Sequence, residues 1–498
     1  MTARPVIESI ERQFRRVIPI VIVILVASCA SKLLAESSRP NIVLFIADNW
    51  SWPHAGALGD RTVQTPVFDR IANEGMLLTR AFCPVPSCSP TRASILTGRA
   101  AHQLEEAASL WSPFQNKFKV FTEYLRSAGY EVGFTGKGWS PGRFLEYGWS
   151  ENPVGKEYPS FAEFMAVRDK SKPFFFWNGN TDTALYKWRW EAADWDGIDA
   201  STLTIPPYLP DVPAVRESLM AYYAAVRQVD RAAGQVVDRL QDDQLLDQTL
   251  LIYTSDNGWQ MPRGLANCYD TGTRVPMAIR WKGRIAASSS SPDFISLTDL
   301  APTILEAAGI DCPAAMTGRS FLNILHGQSD SEARDHVFVE RERHANVRKG
   351  DLSYPIRGIR TEDFLYLWNM RPDRWPAGDP IGHVAVGDFG DVDGSRAKLF
   401  MVAQSSAPEV KPFFDLSFSK RPEEELYDLR SDPHQLRNVA AQSAYAPTLN
   451  RLRERVRQWM RDTHDPRVDP SFDGWDKYPY FGGNFRDRDA VRKAKTAR

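Results

Sequence analysis

Two Asp-Asn pairs occupy matching places in this chain of 498 residues. Asp48-Asn49 follows the apolar run Asn41-Ile42-Val43-Leu44-Phe45-Ile46-Ala47, and Asp256-Asn257 follows Thr249-Leu250-Leu251-Ile252-Tyr253-Thr254. Brought together, they offer two carboxylates and two amide carbonyls. An oxygen-only set of that kind suits a hard divalent cation, calcium or magnesium. Alone, either pair reads more simply as a turn or helix cap, because Asp and Asn bond to nearby backbone. A third stretch reverses that weighting. Ser87-Cys88-Ser89-Pro90-Thr91-Arg92-Ala93-Ser94-Ile95-Leu96-Thr97-Gly98-Arg99 places one cysteine two residues before a proline and four before an arginine, at the start of a helix-like run.

Residues so far apart need a scaffold that delivers them to one edge. The run from 41 to 47 is short and β-rich, the pattern of a buried parallel strand with polar residues at its carboxyl end. Ligand sites of open α/β sheets lie at that end. Glu131 to Gly136 predicts a strand ending at Lys137, Pro173 to Trp177 one ending near Asn178 to Asp182, and Thr249 to Thr254 one ending at Asp256. Thr65 to Gly75, Phe121 to Gly129 and Pro213 to Leu240 predict helices between them, the last long and amphipathic. The alternation predicts an α/β protein: a large, mostly parallel sheet sandwiched by helices. A polar stretch around Gly327 to Asp335 divides a catalytic domain, 39–330, from a smaller C-terminal α+β subdomain, 331–498. Within the latter, Thr448 to Thr463 predicts a helix and the aromatic tail Trp475 to Phe481 is expected to dock onto the body. Ser288 to Ser291 reads as a surface loop, and Glu340-Arg341-Glu342-Arg343-His344 as a solvated charge run.

Lys and Arg number 61 against 62 Asp and Glu, a formal net charge of −1. That balance excludes a general nucleic-acid binder and requires any grip on an anionic substrate to be local. Near the start, Arg12, Arg15 and Arg16 precede an apolar run from Val17 to Ala27 and the small residues Ser28 to Ser31. This is a secretory pattern, too short for a comfortable transmembrane span. Val26-Ala27-Ser28-Cys29 also resembles a bacterial lipobox. Residues 1–38 are therefore expected to be a signal peptide or lipoprotein signal, and the protein periplasmic or extracellular. Membrane attachment is expected only through a lipid anchor at Cys29, the alternative being plain cleavage near Ala30. With Cys29 and Cys88 set aside, Cys83, Cys268 and Cys312 form an odd set that implies no disulfide framework.

The stretch from Ser87 to Gly98 resembles the signature of type I sulfatases. Most of the mature chain is similar to the branch that contains the heparan N-sulfatases, or sulfamidases. Thr254 to Gly258, Asn267 to Thr273, Leu297 to Leu305, Ser353-Tyr354-Pro355-Ile356-Arg357, Glu424 to Leu429 and Thr463-His464-Asp465-Pro466 carry the likeness. The resemblance implies an alkaline-phosphatase-like fold and hydrolysis of sulfate esters or N-sulfamates of a sulfated carbohydrate. It implies that a formylglycine-generating enzyme converts Cys88 to formylglycine, whose hydrate offers two geminal oxygens to one sulfur. Asp48, Asn49, Asp256 and Asn257 would hold Ca2+, with Mg2+ the alternative. Arg92 would stabilise the hydrate, Lys137 would touch the sulfuryl group, and Asp182 aligns with a polar residue beside the substrate.

The departures are as informative. Asn49 stands where the family usually has a second aspartate, which removes one negative charge and predicts weaker cation binding. Trp139 replaces a usual histidine, Ala184 falls near a second, and Leu265 falls where a lysine commonly contacts sulfate. Arg263 is the nearby candidate to replace that lysine, and His54, His102 and His344 are candidates for proton transfer. Tyr354, Arg357, Arg371 and Arg374-Trp375 are candidates for a carbohydrate subsite. Two other functions fit the same residues: a phosphodiesterase or phosphonate hydrolase of the superfamily, and a catalytically degenerate protein that only binds sulfated glycans.

Overall fold

The computed structural model describes residues 39–195, 197–382 and 387–482, so the expected leader and the lipobox-like stretch at Cys29 lie outside the described residues. Nine strands form the main sheet: β1 (Asn41–Ala47), β2 (Met76–Phe82), β3 (Glu131–Gly136), β4 (Lys156–Glu157), β5 (Phe174–Asn180), β6 (Thr249–Ser255), β7 (Arg274–Val275), β8 (Met277–Arg280) and β9 (Ser289–Ser296). Their order is β4-β3-β5-β1-β6-β8-β2-β7, with β9 paired to β2. From β4 to β6 the strands are parallel. From β6 through β8 and β2 to β7 the pairing is antiparallel.

The apolar strands follow from burial on both faces. Val43, Phe45, Phe174, Phe176, Leu251 and Tyr253 enter one core layer. Their neighbours Ile42, Leu44, Phe175, Trp177, Leu250 and Ile252 enter the other. A strand covered on both sides has no polar alternation, which is why these segments are unbroken apolar runs. Helix α1 (Cys88–Thr97) is buried throughout and packs in the second layer. Helix α2 (Pro213–Asp242) starts with proline in its first turn and lays Val215, Leu219, Tyr222, Val226 and Val237 on the first. Helix α3 (Leu300–Ala307) closes the second layer.

A second, antiparallel sheet follows: β10 (His336–Arg341), β11 (Ile356–Thr361), β12 (Phe364–Asn369) and β13 (Glu424–Asp428), in that order. The long connection from β12 to β13 leaves this sheet. Its Ala377, Phe389, Val392 and Met401 join the core beside α2. Helix α4 (Arg396–Ala403) in that connection is pinned to α2, with the Ala397 amide donating to Ser218 Oγ at 3.0 Å and Arg396 paired with Glu217 at 2.7 Å. Helix α5 (Ala446–Asp462) packs Leu449, Leu452 and Val456 against Ile359, Tyr366 and Leu426.

Three expectations change. Ser289 to Ser291 is not a loop but the start of β9, paired with Met76 to Leu78. The run from Glu340 to His344 is buried rather than solvated, because each charge finds a partner inside. Glu340 pairs with His102, Glu342 with Arg357 and Arg467, and Arg341 with Asp391. Burial of charge is tolerated on those terms. Tyr354 and Arg357 are also fully buried, and Arg371 and Arg374 hold Asp473 and Asp476, so these residues build the C-terminal structure rather than a sugar subsite. Those contacts dock the tail, and Trp475 is buried with its indole N–H donating to the Glu105 carbonyl at 2.8 Å. Among the described residues no helix is long and apolar enough to cross a membrane, and Cys83, Cys88, Cys268 and Cys312 are free thiols.

Candidate active site

Parallel strands end on one rim, and the predicted residues meet there. The backbone N–H of Asp48, just past β1, donates to the Asn180 carbonyl of β5, and that of Asp256, just past β6, donates to the Ala47 carbonyl. Lys137 follows β3, its amide donating to the Gly179 carbonyl. Asn49 adopts a left-handed conformation with φ of 74°, one that Asn tolerates better than most residues. This turn points its amide N–H at Asp256 Oδ1, 3.0 Å away.

Cys88 is the first residue of α1, and Arg92 lies one turn on, so the two side chains share a face. The thiol donates to Asp48 Oδ1 at 3.3 Å and stands 3.7 Å from Asn49 Oδ1. Arg92 is fully buried. It donates through Nε to Asp256 Oδ2 at 2.9 Å and through Nη1 to the carbonyls of Lys137 and Gly138 at 2.6 and 3.1 Å. Lys137 Nζ bonds Asp48 Oδ1 at 2.5 Å. Two carboxylates and two cations thus surround one sulfur.

The donor set fits a divalent cation. Among the described residues, Asp48, Cys88 and Asp256 bring ligand atoms within 4.8 Å of one another. Asn257 Oδ1 is buried and has no hydrogen-bond partner, the mark of an acceptor built for something else. Its Nδ2 donates to Asn49 Oδ1 at 2.6 Å, which fixes both amides at the same point. Asp48, Asp256, Asn257 and Asn49 would hold the ion through oxygen, as hard cations require.

Burial raises the Cys88 thiol well above its usual range, and the Asp48 carboxylate adds to the rise. A thiol so placed stays protonated and is a poor nucleophile. Burial also works against charge on Asp48, but Lys137 and Arg92 outweigh it and hold the carboxyl below its ordinary value. Burial raises Asp256 to about 6, Arg92 opposing and Asp48 adding to the rise. For Lys137, burial is outweighed by Asp48, so its amine is held above the usual range.

Other predicted residues lie elsewhere. Arg263 does not face the rim. Its guanidinium donates to the Leu416 carbonyl at 2.8 Å and the Gln435 carbonyl at 2.6 Å and sits 3.9 Å from the Tyr269 ring centre, a structural tie to the segments on either side of β13. Leu265 is buried. Trp139 is fully buried against Phe114 and Phe144, with its indole N–H on the Ser89 carbonyl, so it supports α1 and cannot exchange protons. Asp182 lies beyond β5, 3.8 Å from Lys187, and lines a cavity of about 580 Å³ with Tyr186, Arg189 and Arg231. His54 bonds Asp60 and Tyr223 at the wall of a separate cavity of about 860 Å³ that contains none of the rim residues. His102 is held by Glu340 and Thr463. His344 lies at the start of α1, 2.8 Å from Ser87 Oγ. Burial lowers it to about 4, and the imidazole is neutral.

Three neighbours escape sequence reasoning. Gln260 accepts from Asn49 Nδ2 at 3.0 Å and from the Leu185 amide at 2.6 Å, while its own amide donates to Asp393 Oδ2. Thr183 Oγ1 donates to the Asp48 carbonyl at 2.7 Å. Gln260 lies three residues past Asn257, a spacing that could have flagged it. Asp393 lies in an acidic loop with no such signal.

A sulfatase family model matches residues 40–171 and 156–310, and a second model, described as N-sulphoglucosamine sulphohydrolase, C-terminal, matches 263–379. The human protein named N-sulphoglucosamine sulphohydrolase is 28% identical over 508 residues, covering 89% of this chain and 95% of its own. An ulvan-active sulfatase of Formosa agariphila is 26% identical over 467 residues, covering 85% of this chain and 75% of its own. A solved structure in complex with its substrate D-glucosamine-2-N,6-O-disulfate shares the fold with a TM-score of 0.59 at 20% identity, covering 87% of this chain and 99% of that one. A phosphonate monoester hydrolase of Agrobacterium radiobacter shares it with a TM-score of 0.58 at 19% identity, covering 85% and 96%.

Proposed function

The chain belongs to the sulfatase family, and from that membership we propose that it removes sulfate from a sulfated carbohydrate, O-linked or N-linked, with residue 88 as the attacking group. The observation that carries this is Cys88 at the first turn of a buried helix, against Asp48 and one turn from Arg92. Converted to formylglycine, residue 88 supplies a hydrated aldehyde oxygen as nucleophile. Asp48, Asn49, Asp256 and Asn257 would hold a divalent cation, Ca2+ or Mg2+, whose positive charge would offset the charge that develops in the reaction.

The chain's own groups do the rest. Arg92, locked by Asp256 and two carbonyls, cannot swing away and presents its charge beside residue 88. Lys137, tied to Asp48, adds a cation at the same edge, where charge builds on the sulfuryl group as the bond to the sugar breaks. The first-turn amides of α1 favour a negative charge at residue 88. The leader, 1–38, supports an exported enzyme, periplasmic or extracellular.

Release of inorganic sulfate is measured from N-sulfoglucosamine, glucosamine 6-sulfate and 4-nitrocatechol sulfate, and release of the alcohol from a phenylphosphonate monoester, for the wild type and Cys88→Ala, with the intact mass of the Cys88 peptide. Sulfate release lost in Cys88→Ala, with an aldehyde mass at residue 88, is the expected result. Equal release by both proteins removes Cys88 from the chemistry, and turnover of the phosphonate alone moves the assignment to phosphonate hydrolysis.

A further inference from the structure

With Trp139 sealed in the core and Ala184 unable to donate, no family histidine position can protonate the leaving group. His54 and His102 are spent elsewhere, and His344 faces Ser87. One carboxyl does reach the rim. Asp393 arrives on the connection between β12 and β13, which α4 anchors over the large sheet. Its Oδ2 accepts from Gln260, whose Oε1 accepts from Asn49. The chain of contacts runs residue 88, Asn49, Gln260, Asp393. Asp393 is half-buried, and its Oδ1 has no hydrogen-bond partner among the described residues. An in-line displacement puts the leaving atom on the far side of sulfur from residue 88. Asp393 is set back from residue 88 by two side chains, Asn49 and Gln260, which leaves room between them for a substrate.

We propose that Asp393 gives the proton to the departing sugar oxygen or nitrogen. This rests on the sulfatase reading above. In the step, an ionised oxygen of the hydrated residue 88, its proton already passed to solvent, forms a bond to sulfur as the bond from sulfur to the sugar breaks. That bond's electron pair goes to the sugar atom, which takes the Asp393 proton. Asp393 is left as a carboxylate and regains a proton from water.

The surroundings suit a group that alternates between the two forms. Burial raises the Asp393 carboxyl, and Asp391 and Asp48 push the same way, while Gln260 and Lys398 oppose. Lys398 is 3% exposed, and its ammonium has carboxylates of Asp393, Asp388 and Asp391 around it but no hydrogen bond among the described residues. Burial lowers its amine.

A leaving group that departs readily as an anion needs no proton, so the test is a comparison of substrates. Wild type, Asp393→Asn and Asp393→Glu are assayed on 4-nitrocatechol sulfate and on the sulfated sugar turned over fastest in the panel above. In Asp393→Asn the ratio of sugar to aryl kcat/KM falls about a hundredfold, and Asp393→Glu restores part of it. Loss by the same factor on both substrates, or no loss, overturns the inference and leaves the sulfatase reading standing. Should Asp393→Asn fail to fold by circular dichroism, wild-type pH profiles decide. A basic limb in kcat/KM with the sugar and not with the aryl sulfate supports Asp393, and the same limb with both overturns it. Absence of Cys88-dependent release from either substrate sinks both the sulfatase reading and this inference.

Discussion

Replacing Asn49 by Asp restores the charge that the usual family pattern carries, and the structure fixes what should follow. Asn49 donates to Gln260 and accepts from Asn257 within the oxygen set. A carboxylate there faces Asp48 and Asp256, which repel it, and Lys137 and Arg92, which attract it. In the cation-free protein these two pairs roughly cancel. The main cost is then the lost hydrogen bond to Gln260, about 1–3 kcal/mol for a buried pair left half-satisfied. With a divalent cation bound the balance changes. Two unit charges 4 Å apart interact by about 4 kcal/mol at an effective dielectric of 20, so a new charge beside a doubly charged ion gains about 8 kcal/mol gross. Desolvating the buried carboxylate takes back several kcal/mol. The net is on the order of 2 kcal/mol, roughly thirtyfold tighter cation binding. Calorimetric titration of chelator-treated protein with calcium measures it, and thermal melts without the ion measure the cost. Asn49→Asp should bind calcium more tightly and melt lower when cation-free. An unchanged or weaker affinity would show that Asn49 does not reach the ion, and the ligand set built from both Asp-Asn pairs would be wrong.

Three further outcomes follow from the same geometry. Chelation should abolish sulfate release yet leave the far-ultraviolet circular dichroism unchanged, because Lys137 and Arg92 already pair Asp48 and Asp256; unfolding on chelation would contradict that pairing. The buried His102–Glu340 pair should give stability with a maximum in pH. Burial opposes charge on His102, but Glu340 outweighs it and raises the imidazole above its ordinary 6.5, so its contribution is complete below 6.5 and fades as pH rises through the raised value. Glu340, where burial is outweighed by His102, lies below its ordinary 4.5, so its contribution is complete above 4.5 and fades as pH falls. Melting temperature against pH for wild type and His102→Gln should differ most between those values, and parallel curves would refute the pairing. Trp139→His should not restore a proton donor. The indole is enclosed by Phe114 and Phe144, and its loss should cost on the order of 3 kcal/mol in a urea melt with no gain in kcat.

What could be seen in advance depended on where a residue sits along its strand. Asp48, Lys137 and Asp256 each end a parallel strand, so periodicity alone assigns them to one rim, and the spacing of Cys88 and Arg92 assigns both to one helical face. Nothing comparable marks the residues that were misplaced. Arg263 is two residues from a position of interest, but its guanidinium is claimed by carbonyls 153 and 172 residues away. Glu342 looks solvated in its charge run until Arg467, 125 residues on, is brought beside it. Local pattern reports how a segment meets solvent or a neighbouring layer, not which distant partner neutralises it. Asp393 is the sharpest case. It is separated by 133 residues from Gln260, which links it to the nucleophile's side of the rim. It gets there because Ala377, Phe389, Val392 and Met401 bury apolar surface against α2 and carry the loop with them. Its position is therefore set by hydrophobic packing of the connection, while any function it has lies in a carboxyl that the packing leaves facing the rim. Weakening that packing, for example with Met401→Ala, should lower sulfate release from a sugar more than from an aryl sulfate, because Met401 belongs to the core that carries the loop.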